Sequence, residues 1–158
     1  MGKQSAVLLA LQKVPLFIDL SPSQLKQLLG ICQQETHEPG TALCRAGGES
    51  DRMFVLLSGT VEIRTARDVY LVSESAITTV GEAGMLTGEP RSATIVAETA
   101  LSVLGINRRP FFQLMQEDSS LATRLYRNVM RILRQKLIAS NQRIGELLQS
   151  QAASEPSE

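Results

Sequence analysis

Glu82 and Arg91 stand nine residues apart in the stretch VGEAGMLTGEPRSATIV, residues 80–96, with glycines at 81, 84 and 88 around them. An arginine suits an anionic phosphate best, because its planar fork donates two parallel hydrogen bonds. Ser92 beside it adds a hydroxyl donor. Glu82 cannot bind phosphate, but its carboxylate accepts hydrogen bonds well from a sugar hydroxyl. Glycine lets backbone approach a ligand closely and permits positive φ. One helical turn over Glu82–Leu86 would aim free N–H groups at an anion. Together these groups describe a pocket for a phosphorylated ribose. The same spacing also fits a surface Glu–Arg pair across a turn, worth little energy.

Such a pocket needs a frame. The chain has 158 residues, enough for one domain with a real core. Val7, Leu8 and Leu11 recur at helical spacing until Pro15. Ser21 reads as the N-cap of a second helix, with Pro22 at its first position and Leu25, Leu28 and Leu29 on one face. From Pro39 the chain becomes a series of short strands punctuated by Gly40, Gly47-Gly48 and Gly59, continuing through VYLV, AITTV, SATIVA and LSVLGI. Short strands at this spacing predict a barrel, sandwich or jelly roll. The expected layout is helices over about 4–34, strands over about 36–107, helices over about 109–149, and a disordered tail over 151–158.

Within the last helical stretch, Met130, Leu133, Leu137, Ser140, Ile144 and Leu147 are spaced 3, 4, 3, 4, 3. That is the a/d repeat of a coiled-coil seam and predicts a partner chain. Leu125, Val129 and Ile132 lie on another face and are expected to pack on the β domain. The alternative is a helix buried in its own monomer. Ser140 is the one polar member of the seam, so it either fixes register or faces a ligand.

Other functions find less support. Sixteen basic residues balance sixteen acidic ones, so net charge names no partner. The apolar run AVLLAL is too short to span a membrane and no signal cleavage site follows it, so a cytoplasmic protein is expected. Cys32 and Cys44 read as free buried thiols, and His37 as a turn residue. One histidine without a close cysteine pair argues against a metal site, and no catalytic triad can be built around it, so no enzyme and no cofactor are expected. Eight Arg or Lys between 108 and 143 face only Glu117 and Asp118, a stripe that could meet nucleic-acid phosphates or be a solvated helix face.

VPLFIDLSPSQLKQLL, PGTALCRAGGESDRMFVLLSGTVEI and above all GEAGMLTGEPRSAT resemble the cyclic nucleotide-binding domain family. This is the regulatory β-roll of the catabolite activator protein, cyclic-nucleotide-dependent kinases and cyclic-nucleotide-gated channels. The likeness covers roughly residues 10–148. It implies a mainly β fold, a double-stranded β-helix or jelly roll with flanking helices, as one domain over 1–150. It also implies that Glu82 takes the ribose 2′-hydroxyl and that Arg91 holds the cyclic phosphate. Ser92 and the backbone around Ala83 and Gly84 would help, with Gly81 and Ala93 completing that part of the ligand-binding set.

RQKLIASNQRIGEL resembles the dimer helix of the catabolite activator protein, which places Ser140 and Asn141 where a small hydroxyl pair meets the base. The implied function is a receptor for cAMP or cGMP. Its ligand would reposition a C-terminal helix in a homodimer and so signal to a partner protein. A cyclic dinucleotide such as c-di-GMP is the alternative ligand within the fold, and non-specific nucleic-acid binding the alternative outside it. Two features depart from the family: SESAITTV, over 73–80, replaces its usual Gly-Pro-Gly-Asp turn and aromatic, so Val80 directly precedes Gly81. About ten residues follow Leu148, too few for a helix-turn-helix, so a stand-alone receptor without sequence-specific DNA binding is expected.

Overall fold

The computed structural model describes residues 2–154. α1 (Gly2–Lys13), a 3-10 turn (Pro15–Phe17) and α2 (Pro22–Ile31) come first. Six strands follow: β1 (Cys32–His37), β2 (Ala42–Cys44), β3 (Arg52–Ser58), β4 (Thr60–Arg64), β5 (Tyr70–Ser75) and β6 (Thr78–Val80). The short α3 (Glu82–Thr87) leads to β7 (Thr94–Ala97) and β8 (Leu101–Asn107), then α4 (Arg108–Glu117) and α5 (Ser119–Ser154). Two four-stranded antiparallel sheets, β1-β8-β3-β6 and β2-β7-β4-β5, face one another as the expected β-roll.

The continuous apolar run Met53–Leu57 follows from burial on both faces of β3. Side chains alternate along a strand. Phe54 and Leu56 therefore point between the sheets, with Val61, Val80, Ile95 and Val103. Met53 and Val55 point the other way, with Leu104 and Ile106 of β8, into a second core under the helices. There they meet Leu11, Phe17, Leu28, Phe111, Leu121 and Leu125. This outer core seats α4 and the first part of α5 against the roll.

The helix ends reflect local chemistry. Ser21 caps α2 as expected: its hydroxyl accepts from the Gln24 backbone N–H at 3.2 Å, and the Gln24 side chain accepts from the Ser21 N–H at 3.0 Å. The amide of Gln24 then donates to Asp118 at 2.9 Å, and Asp118 accepts the N–H of Leu121 at 3.0 Å. The start of α2 and the start of α5 are thus capped by one linked set of side chains. These hydrogen bonds, that from Gln24 first, hold the Asp118 carboxyl below the usual carboxylate range.

Two boundaries differ from the sequence expectation. The first helical block ends at Ile31, not 34, because Cys32–His37 pairs along β8 from Cys32 opposite Ile106 to His37 opposite Leu101. CQQETH has no apolar alternation, and its strand form comes from the partner. At the other end α5 runs to Ser154, so residues 151–154 of the expected tail are helical. Ala152 and Ala153 are strong helix formers, and the Ser150 and Ser154 hydroxyls donate to carbonyls three and four residues earlier. Residues 155–158 lie outside the described residues. The expected C-terminal helices are α4 and α5, divided at Asp118.

Among the described residues no helix is long and apolar enough to cross a membrane. Both cysteines are free and half-buried, and burial pushes the Cys32 thiol up to about 12.

Candidate functional site

α3 is held at both ends by glycine. Gly81 caps its start at φ 81° and Gly88 its end at φ 77°, both in the left-handed region. Met85, fully buried in the helix-side core, anchors the turn. Val80, the residue that departs from the family pattern, packs between the sheets. The helical turn considered over Glu82–Leu86 is present as α3, which runs to Thr87.

Glu82 and Arg91 do not form the surface pair that spacing alone allowed. Both are buried, Glu82 at 1% and Arg91 at 6% exposure, and each has other partners. The Arg91 side chain turns under the 47–52 loop. Its Nη1 donates to the Gly81 carbonyl at 3.0 Å, its Nε to the Glu49 carbonyl at 3.2 Å, and its Nη2 to the Arg52 carbonyl. Its backbone is clamped too: the Gly47 N–H donates to the Arg91 carbonyl at 2.8 Å and the Arg91 N–H to Gly48 at 2.9 Å. Among the described residues Arg91 forms no ion pair with a carboxylate. A buried guanidinium satisfied only by neutral carbonyls keeps its full positive charge for an incoming anion.

Glu82 is divided between its two oxygens. Oε1 accepts from Nζ of Lys136 on α5 at 2.9 Å. Oε2 is buried without a hydrogen-bond partner. An orphaned carboxylate oxygen in a buried site is an acceptor waiting for a donor.

Seven of the nine residues named from sequence, Gly81, Glu82, Ala83, Gly84, Arg91, Ser92 and Ala93, lie on α3, its N-cap and the segment that follows it into β7. Ser92 is exposed, while Ala83, Gly84 and Ala93 are half-buried. Ser140 and Asn141 are not brought into contact with them. They sit on α5 beyond Ile132, the last buried residue of that helix, and both are exposed.

The structure adds residues the sequence reading passed over. Lys136 was counted only within a basic stripe, yet it continues the domain-facing positions Leu125, Val129 and Ile132, and that spacing was the available signal. Arg108 donates from Nε to the Met85 carbonyl at 2.9 Å and lies 5.0 Å over the Phe112 ring, pinning the end of α3 to α4. Ser50, with its hydroxyl buried and unpartnered, packs against Gly84, where no Cβ would fit. Nothing local in the sequence singles it out. No group of three His, Cys, Asp or Glu able to hold a metal occurs among the described residues.

Residues 34–118 match the family model described as "Cyclic nucleotide-binding domain". A cyclic nucleotide-gated potassium channel of Mesorhizobium japonicum is 34% identical over 109 residues, which cover 69% of this chain and 30% of the channel. Among solved structures, a cyclic nucleotide-binding domain from Methylobacillus flagellatus superposes with a TM-score of 0.77 at 22% identity, covering 98% of this chain and 85% of that one. The regulatory domain of Toxoplasma gondii PKA, crystallised with cAMP, superposes at 0.67 with 21% identity, over 72% of this chain and 44% of that one. At such identities the structural likenesses carry the fold alone. The chain spans 22–30% of the length of the first curated relatives it matches.

Proposed function

Because this chain belongs to the cyclic nucleotide-binding domain family, we propose that it is a receptor module for a cyclic mononucleotide, cAMP or cGMP, acting in the cytoplasm without catalysis and without a metal or cofactor. The family is regulatory rather than catalytic. The observation that carries the proposal is the pairing of two buried groups of opposite need. Glu82 Oε2 lacks a donor, and Arg91, across Gly81, lacks an anion.

A ribose 2′-hydroxyl supplies the donor and a cyclic phosphate the anion. Three of the five guanidinium N–H groups are taken by carbonyls, which leaves one on Nη1 and one on Nη2 for phosphate. Ser92 adds its exposed hydroxyl, and the Ala83 and Gly84 N–H groups add the positive end of α3. Ser140 follows Lys136 by one turn on the same helix face, so a base lying over α3 would meet it and Asn141.

α5 is the output element of this proposal. Leu133 and the residues after it, Gly145 apart, are exposed, and the seam positions Met130, Leu137, Ile144 and Leu147 are 54–68% exposed. An uncovered stripe of this kind suits a second copy of the chain. Ligand acts on such an equilibrium only through its different affinity for two placements of α5. The protein that receives the signal belongs to the same proposal.

Calorimetric titration with cAMP, cGMP and c-di-GMP tests the reading. One mononucleotide is expected to bind, and Arg91→Ala to weaken it at least about tenfold, since each charge-assisted hydrogen bond is worth ~1.5–3 kcal/mol. Arg91→Lys, which keeps the charge and loses the fork, separates binding from folding. No binding of any mononucleotide by the wild type would overturn the reading. Preference for the dinucleotide would replace its ligand.

A further inference from the structure

We infer that Arg124, Arg127, Arg131 and Arg134 form a row on α5 that takes the phosphate backbone of double-stranded nucleic acid, without reading its sequence and apart from the nucleotide pocket. The inference goes beyond the receptor reading and does not depend on it.

The charge on this helix is one-sided. Between Ser119 and Gly145, α5 carries these four arginines, Lys136 and Arg143, and no carboxylate. Lys136 is taken by Glu82 at 2.9 Å. Arg124 is half-buried, donates to the Asp19 carbonyl and helps hold the Asp118 carboxyl down. Arg127, Arg131 and Arg134 are exposed, and among the described residues they form no hydrogen bond, ion pair or ring contact. The four arginines are spaced 3, 4, 3, so each has a like charge about one turn away. Like charges at these spacings work against a helix. The row therefore opposes the fold that carries it, and an anion laid along it reverses that sign.

Geometry selects the kind of anion. The four arginines fall within an arc of roughly 80°, and its centre lies roughly 130° round the helix from that of the Met130–Leu147 seam. An acidic protein would need an apolar centre to its interface. Ile138 is the one apolar side chain on this face between Ser120 and Gln142. An anionic membrane would need an apolar face that enters it together with the basic one, and the seam points away. Phosphate asks for neither. Exposed Ser120, Gln135 and Gln142, which border the row, belong to the residue types that contact phosphate beside arginine. From Arg124 to Arg134 the row rises ~15 Å. One duplex strand offers a phosphate per ~3.4 Å of its axis, so each guanidinium can reach one of its own.

Binding of a short random-sequence DNA duplex, followed by fluorescence anisotropy, tests the inference. Three phosphate contacts give a slope of about −2.7 against log salt, so raising salt from 50 to 200 mM should weaken wild-type binding about 40-fold. The triple variant Arg127→Gln, Arg131→Gln, Arg134→Gln should lose both the binding and the slope. It should unfold no more easily than wild type and bind cyclic nucleotide equally, because these side chains touch neither α3 nor the β-roll. A second triple variant, Lys26→Gln, Arg67→Gln, Arg109→Gln, removes the same charge away from α5 and should bind the duplex as wild type does.

Equal loss in both triple variants would assign the effect to net charge and overturn the row. A wild type that ignores the duplex at 50 mM salt overturns the inference, and so does one that prefers poly-L-glutamate or phosphatidylglycerol vesicles to the duplex. Destabilisation of the first triple variant would give the row to the fold instead. None of these results bears on the receptor reading, which the nucleotide titration decides by itself.

Discussion

Gly81 and Arg91 occupy one another's space: the Gly81 carbonyl accepts from Nη1 of Arg91 at 3.0 Å, and a Cβ on Gly81 would stand 2.5 Å from that same nitrogen. The arginine cannot easily step aside, since two further carbonyls hold it. Gly81→Ala therefore meets a left-handed φ and a steric conflict together. Destabilisation of about 1–3 kcal/mol is expected in urea unfolding, with weakened nucleotide binding. Wild-type stability and affinity would show that Arg91 has room to move.

Asn128 ties the long helix to the N-terminal turn. It is 2% exposed, and its Nδ2 donates to the Leu16 carbonyl at 3.0 Å and the Ile18 carbonyl at 2.7 Å. Asn128→Ala strands two carbonyls and should lower unfolding free energy by about 1–3 kcal/mol. Asn128→Asp should cost more, because a carboxylate cannot donate to either carbonyl. The order Ala less severe than Asp in thermal unfolding checks the donor role specifically.

Asp118 makes stability depend on acid. Its folded carboxyl is lowered from 3.8 by hydrogen bonds, the one from Gln24 foremost, so the folded state holds the ionised form more tightly than the unfolded chain does. That contribution is complete above 3.8 and is lost as pH falls through the lower folded value. Asp118→Asn should flatten this part of the stability curve, which denaturant unfolding at a series of acid pH values would reveal. An unchanged slope would mean that other carboxylates carry the acid sensitivity.

The exposed face of α5 predicts a dimer. Its 36 residues span ~54 Å, and the seam occupies the outer part. Leu137, 61% exposed in the single chain, would be central in a paired helix. Sedimentation should give a dimer for wild type and a monomer for Leu137→Glu, since like charges across an a/d seam repel. A wild type that stays monomeric with and without nucleotide would remove the seam.

Much of this fold was legible because its signals are local. Ser21, Pro22 and Gln24 announce a helix start through bonds within one turn, and Met53–Leu57 announces a strand with two covered faces. The glycines of GEAGMLTG announce a tight helical turn, because only glycine accepts the φ values at 81 and 88 without strain. β1 was misplaced for the opposite reason. CQQETH is a strand only because β8 runs beside it, and no pattern within six polar-rich residues can state that.

The sequence by itself determined which groups the site contains: a carboxylate, a guanidinium, a hydroxyl and a glycine-framed turn, at spacings set by covalent chain and backbone sterics. Tertiary structure alone decided their partners. It buried Glu82 and Arg91 apart from one another, spent three arginine donors on carbonyls of distant loops, and brought Lys136 across 54 residues to Oε1 of Glu82. Hydrogen bonds and ion pairs are decided by distance in space, to which separation along the chain is no guide. The surface arginines and the one lysine that pairs with Glu82 look alike in the sequence, and only the packing of α5 through Val129 and Ile132 turns that lysine inward.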